Sequence, residues 1–143
     1  MPTASDVKKL LKANGIMVYR VVGDSVTLAE LVRDNLIMEA YVSVETRGSL
    51  RVRVATRAQR SDFPFSSETE TSLLARARQM GTPALSLGFV EVQTHVESIP
   101  DPMDPVQQLD VWYQVFFEKM VDSDEDLLGA VRQAIRLEKV APR

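Results

Sequence analysis

In LIMEAYVSVETRGSLRVRVATR, residues 36–57, apolar residues recur at every second position on both sides of a turn-like centre. Met38, Ala40, Val42 and Val44 fall on one face of a strand, and Leu50, Val52 and Val54 on one face of the next. Side chains alternate across a strand, so a period of two commits this stretch to a pleated pair with one buried face. Pairing Val44 with Leu50 and Val42 with Val52 leaves residues 46–48 as a three-residue loop. Gly48 then stands where such loops need a left-handed residue. A slip of one residue would turn every one of these apolar side chains to water.

The same register sets Arg51 opposite Ser43 and Arg53 opposite Tyr41, with Glu45 and Glu39 diagonal to them on the polar face. Opposite charges across strands contribute about 0.2–1 kcal/mol each, so Arg51, Arg53 and Arg57 read first as the polar face of a hairpin. Arg51 and Arg53 are also candidates for salt bridges to a protein partner. Nucleic acid is not the expected partner of these residues and Arg60, because the chain carries a net charge of −3 and shows no stacking platform. The charge is uneven: residues 1–80 hold 12 Lys and Arg against 9 Asp and Glu, residues 81–143 hold 5 against 11. Such asymmetry suits a protein that pairs with itself or with another protein.

At 143 residues the chain fits one domain, residues 1–143, long enough to bury a core without staples. With no cysteine there is no disulfide, thiolate metal site or cysteine nucleophile. No apolar run approaches the roughly 18 residues of a membrane span, and MPTASDVKKLLKANG lacks the apolar centre of a signal peptide. A cytoplasmic protein without membrane contact is the expectation.

Along the chain, Val7, Leu10 and Leu11 predict a helix over 5–14, stopped at Asn14-Gly15. A strand is expected over 16–22. Thr27 and Glu30, spaced as a capping box before Leu31 and Val32, predict a short helix over 27–35, with a strand as the alternative. A helix over 67–80 follows the hairpin, with Ser67 and Glu70 at its start and Gly81 and Pro83 at its end. Residues 85–97 alternate as a strand. Pro100, Pro102 and Pro105 make 98–110 a loop. A strand over 110–121 and a helix over 123–139, capped by Ser123 and Asp126, close the pattern. The sum is an α+β fold: an antiparallel β-sheet of about five strands with helices packed on it, in the order α-β-α-β-β-α-β-β-α.

Residues with chemistry are few. His95 is the only histidine, so a triad or a multi-histidine metal site would have to use this one ring. It shares a strand face with Phe89, Glu91, Gln93 and Glu97. Asp101 and Asp104 flank Met103, and with His95 and Glu97 they form the one group that could serve a metal-dependent or acid–base hydrolase. Asp before Pro is also ordinary turn chemistry. DSDED at 122–126 lacks the glycine and distal glutamate of a calcium loop, and fits a helix N-terminus. No phosphate-binding or nucleophile motif is present, and no cofactor or metal is expected.

The strand over 110–121 carries the stronger signal. Val111, Tyr113, Val115 and Phe117 point one way, while Trp112 and Phe116 point the other with Gln114 and Glu118. A half-exposed antiparallel strand should keep one polar face. Either helices cover both sides of the sheet, or Trp112 and Phe116, with Phe89 beside them, meet a partner. In element order, size and acidity the chain resembles the type III secretion chaperone-like fold, including the YbjN-like family. The resemblance implies a helix, a β-meander, a helix, two strands and a closing helix. It further implies a dimeric, non-catalytic protein-binding module.

Overall fold

Thr3 closes a reciprocal cap on the first helix. The Asp6 N–H donates to Thr3 Oγ1 at 3.2 Å, and the Thr3 N–H donates to Asp6 Oδ2 at 2.9 Å. Both partners of the box satisfy donors that the first turn would leave open, and the Thr3 N–H, joined by the Thr3 hydroxyl donating to the same Asp6 Oδ2 at 3.0 Å, holds the Asp6 carboxyl below its ordinary value. Helix α1 (Ala4–Ala13) buries Ala4, Val7 and Leu11. It ends at Asn14 and Gly15, where φ of +75° favours glycine.

The computed structural model describes residues 2–33, 36–45, 49–60 and 70–140. After α1 come β1 (Arg20–Val22), β2 (Ser25–Arg33), β3 (Leu36–Val44) and β4 (Leu50–Gln59). Helices α2 (Glu70–Gly81) and α3 (Pro83–Ser86), strands β5 (Val90–Asp101) and β6 (Asp104–Val121), and helix α4 (Asp124–Val140) complete the order. The first four strands form a meander, and β6 returns to pair with β4, leaving β5 outermost. The sheet order is β1-β2-β3-β4-β6-β5, with every neighbouring pair antiparallel. The fold is thus α+β on an antiparallel sheet, with six strands where about five were expected. Among the described residues no helix is long and apolar enough to cross a membrane.

The register of the β3–β4 hairpin is the one its alternation demands: Val44 pairs with Leu50, Val42 with Val52, Ser43 with Arg51 and Tyr41 with Arg53. Its expected loop, 46–48 with Gly48, lies outside the described residues, as does the expected cap at Ser67.

The additional strand comes from the segment read as a helix at 27–35, which forms most of β2. Val26 and Leu28, two residues apart, both point into the core. A capping box contributes about 1 kcal/mol and a nine-residue helix is marginal alone. The free edge of β3 offers a ladder along the whole segment, bent by an irregularity between Thr27 and Ala29. Pairing outweighs the local signal.

Two further boundaries move. Pro83 starts the four-residue helix α3 within the segment read as a strand from 85, and Gly88, at φ of +93°, ends that turn. The strand begins at Val90 and continues through Pro100 into the segment read as a loop. The reason is the edge. Beyond the pair Gln59–Trp112, β6 has no β4 partner and faces β5 alone. Residues 98–111 therefore form a two-stranded ribbon in which, among the described residues, each strand has a side without a strand partner, and such a side tolerates proline. Asp101 Oδ1 accepts the Met103 N–H at 2.9 Å, and Asp104 Oδ1 accepts the Val106 N–H at 3.2 Å, shaping the tip.

Helices α1, α2 and α4 lie on one face of the sheet. Val7, Leu11, Leu73, Ala77, Met80, Leu127, Val131 and Leu137 interleave there with Val42, Val52, Val54, Val115 and Phe117. Fully buried side chains of this size each contribute about 1.5–3 kcal/mol. The buried Thr56 hydroxyl donates to the Ala77 carbonyl and ties β4 to α2. At Gly81 a β-carbon would overlap the Phe117 ring, so this glycine permits the close approach of α2 to β6.

Candidate functional site

Because every helix packs on the same side, the second face of β3, β4 and β6 has no helix over it among the described residues. Strand parity decides what it displays. On β4 it shows Arg51, Arg53, Ala55, Arg57 and Gln59; on β6, Trp112, Gln114, Phe116, Glu118 and Met120; on β3, Glu39, Tyr41 and Ser43. Of the two expected explanations for the two-sided strand, cover by helices on both faces is not seen among the described residues.

Trp112 and Phe116 are half-buried all the same, because arginines lie over the rings. The Arg57 guanidinium carbon sits 4.3 Å from the Trp112 ring centroid. That of Arg53 lies 5.7 Å from Tyr41 and 5.8 Å from Phe116. Each cation–π contact contributes about 0.5–1 kcal/mol at exposed sites, more when desolvated. Long arginine stems thereby shield apolar rings that would otherwise face water. The small Ala55, opposite Phe116, is buried at the centre of the patch.

The charges on this face are not equivalent. Glu118, with a side chain only 12% exposed, holds Arg51 at 2.9 Å and Arg53 at 3.1 Å. Glu45 adds a second contact to Arg51 at 3.5 Å. Cross-strand acids were expected to answer the arginines; Glu118 from β6 is the main one, Glu45 is secondary, and no described ion pair joins Glu39 to them. Arg57 differs: among the described residues it stacks on Trp112 without a carboxylate partner. Its Nε and Trp112 Nε1 are shielded donors with no hydrogen-bond acceptor among the described residues. Burial pushes the Tyr41 phenol above its ordinary value, against the opposing pull of Arg53.

Phe89 does not join this face, contrary to expectation. It precedes β5, is 2% exposed and packs in the core, where Lys119 Nζ lies 5.9 Å from its ring. Glu91 leaves the His95 face as well. A register shift between Glu91 and Gln93 turns it to the helix side, where Arg78 Nε binds it at 2.6 Å.

The acidic groups are not gathered into one pocket. His95 and Glu97 are each about half exposed on β5, with Nε2 and Oε2 3.9 Å apart. Asp101 and Asp104 are engaged in the ribbon tip, and Ser123 accepts the Asp126 N–H to start α4. Among the described residues no three His, Cys, Asp or Glu side chains group closely enough to hold a metal ion.

The hairpin register already places Tyr41 beside Arg53, and Arg57 on the same face. The pairing of β4 with β6 adds Glu118 to Arg51 and Arg53 and brings Arg57 to Trp112, which only the parity of the two strands hints at. No protein-family model, curated protein or solved structure matches the chain.

Proposed function

We propose that the protein is a non-catalytic protein-binding module of the cytoplasm, chaperone-like or regulatory, acting as a homodimer. The observation that carries this reading is the sheet face, covered by no helix among the described residues, on which Tyr41, Trp112 and Phe116 alternate with Arg51, Arg53 and Arg57. Aromatic residues and arginine are the types enriched in the energetic centres of protein interfaces. The order of helix, meander, helix, two strands and closing helix also supports the resemblance to type III secretion chaperone-like proteins.

The face suits an extended partner segment with an apolar anchor beside a carboxylate. The anchor would cover Trp112 and Phe116. The carboxylate would meet Arg57, which pairs with no carboxylate among the described residues, whereas Glu118 already holds Arg51 and Arg53.

Tagged protein is used to capture partners from a lysate of its own source, in parallel with Trp112→Ala and Phe116→Glu forms shown by circular dichroism to be folded. The captured protein is then purified and its affinity measured. The expected result is a single heterologous protein whose binding weakens at least about tenfold, about 1.4 kcal/mol, in either variant. Equal binding by all three forms would overturn the assignment of this face.

A further inference from the structure

The outermost strand, β5, is twelve residues long and pairs along its length with β6 alone; among the described residues nothing lies on its outer side. Nearly all its side chains are exposed, including Val92 at 42% and Val96 at 43%. Long open edges are templates for another strand, and proteins blunt them with bulges, prolines and charge. Here the bulge and the proline stand only at the ends, and Glu97, beside His95, is the one acidic residue between them. The irregularity at Val92 closes one end and Pro100, which has no N–H to offer, closes the other. Between them residues 93–99 form seven uninterrupted positions, about 24 Å of regular edge at about 3.4 Å per residue.

We propose that β5 pairs antiparallel with β5 of a second copy, on a two-fold axis normal to the sheet through Val96. This rests on the reading of the protein as a homodimer and names the surface that makes the dimer. A two-fold normal to the sheet keeps each side chain on its own face, so residues pair when their numbers sum to an even constant. The segment 93–99 is symmetric about 96, and that centre is the one its chemistry selects. Val96 meets Val96 of the second copy, and Thr94 meets Ser98. His95 stands opposite Glu97 twice, and Gln93 opposite Ile99. No like charges face each other, and neither the bulge nor Pro100 enters the ladder.

Neighbouring centres are worse. Centring on Thr94 drives Val96 onto the bulge at Val92. Centring on His95 sets the two histidines against each other and brings Ser98 onto that bulge. Centring on Glu97 opposes two carboxylates, which is destabilising. Centring on Ser98 sets Pro100 against Val96.

The product is a continuous twelve-stranded sheet. All helices lie on one side, and both aromatic faces lie on the other, joined across β5. Such an isologous contact closes on itself and does not propagate.

The test exploits the absence of cysteine. Val96→Cys, Thr94→Cys and Ser98→Cys are oxidised separately, and light scattering follows the mass of the unmodified chain over a concentration series. The expected result is a chain of twice the monomer mass in which only Val96→Cys forms a disulfide-linked dimer. The other two positions are offset from their own copies by four residues, too far to bridge.

A charge exchange gives an independent reading. His95→Glu should weaken dimerisation at least tenfold, Glu97→Lys should weaken it less, and the double variant should restore it. A monomer at every concentration would overturn the proposal. So would a dimer that crosslinks equally at 94 and 98, or one lost in Phe116→Glu and kept in His95→Glu. If dimerisation fails while capture through Trp112 persists, the edge pairing alone is wrong; if capture fails while Val96→Cys still links, the partner-binding face alone is wrong.

Discussion

The guanidinium of Arg57 lies over the ring of Trp112, 4.3 Å from its centroid, on the one sheet face that no described helix covers. Trp112 is the only tryptophan, so its emission reports on this face without labelling. Arg57→Ala is expected to shift that emission to longer wavelength as the ring meets water. The stability cost should be about 0.5–1 kcal/mol, read from urea unfolding. An unchanged spectrum would mean that the stacked arrangement is not populated in solution.

Glu118 answers two arginines from a nearly buried position, so its loss leaves Arg53 without a carboxylate among the described residues and Arg51 with only the longer contact to Glu45. Glu118→Gln should lower stability by about 1–3 kcal/mol. Arg51→Ala should lower it by no more than about 1 kcal/mol, because Arg51 is more exposed and Arg53 still holds the carboxylate. The ordering of the two variants in denaturant midpoint is the check. An Arg51 variant as damaging as the Glu118 variant would contradict the central role of the acid.

Gly81 ends α2 directly against Phe117. Gly→Ala in a helix ordinarily gains up to about 1 kcal/mol. Here the added methyl would collide with a fully buried ring, and overpacking costs about 1–3 kcal/mol or more. The collision term is the larger, so Gly81→Ala should lower the melting temperature. Combining it with Phe117→Leu should cost less than the sum of the separate losses, as expected of residues in direct contact.

Tyr41 carries a pH prediction. Burial raises the phenol above its ordinary value of 10.0, whereas the unfolded chain titrates near the ordinary value. A folded value above the unfolded one contributes stability that is fully present below about pH 10 and is lost as the pH rises through the folded value. Tyr41→Phe should therefore unfold less readily than the unmodified chain above about pH 10, relative to their difference near about pH 7. Parallel pH profiles for the two proteins would remove the assignment.

How far the sequence disclosed this arrangement depended on which residues act locally. The β3–β4 register is written in a strict alternation that one slip would invert, and the structure follows it residue by residue. The two faces of β6 were equally legible, since Val115 and Phe117 against Trp112 and Phe116 differ by parity alone. Residues 27–33 carry a conflicting local signal: Thr27 and Glu30 imitate a helix start, whereas the strand comes from pairing with β3, which follows at once from Leu36. Phe89 misled for a different reason: alternation through 85–97 was carried back past Gly88, where α3 and its turn interrupt the strand. Glu91 changed faces at an irregularity that leaves no mark in composition. Glu118 was visible as a polar residue of β6 but not as the acid between Arg51 and Arg53, because that role exists only once β4 and β6 are adjacent.

The ribbon beyond Trp112 has a consequence for how the molecule breathes. Strand β6 runs from Val121, paired with Leu50 of β4, through Val115, which lies between β4 and β5 above the helices, to Val106, which is 92% exposed. One continuous strand thus crosses from the most protected to the least protected ground in the fold. Its amides should exchange with solvent in a steep gradient, slowest near Val115 and fastest toward the tip. Beyond the buried Asp110 and Val111, the tip is therefore expected to open and reclose without disturbing the core.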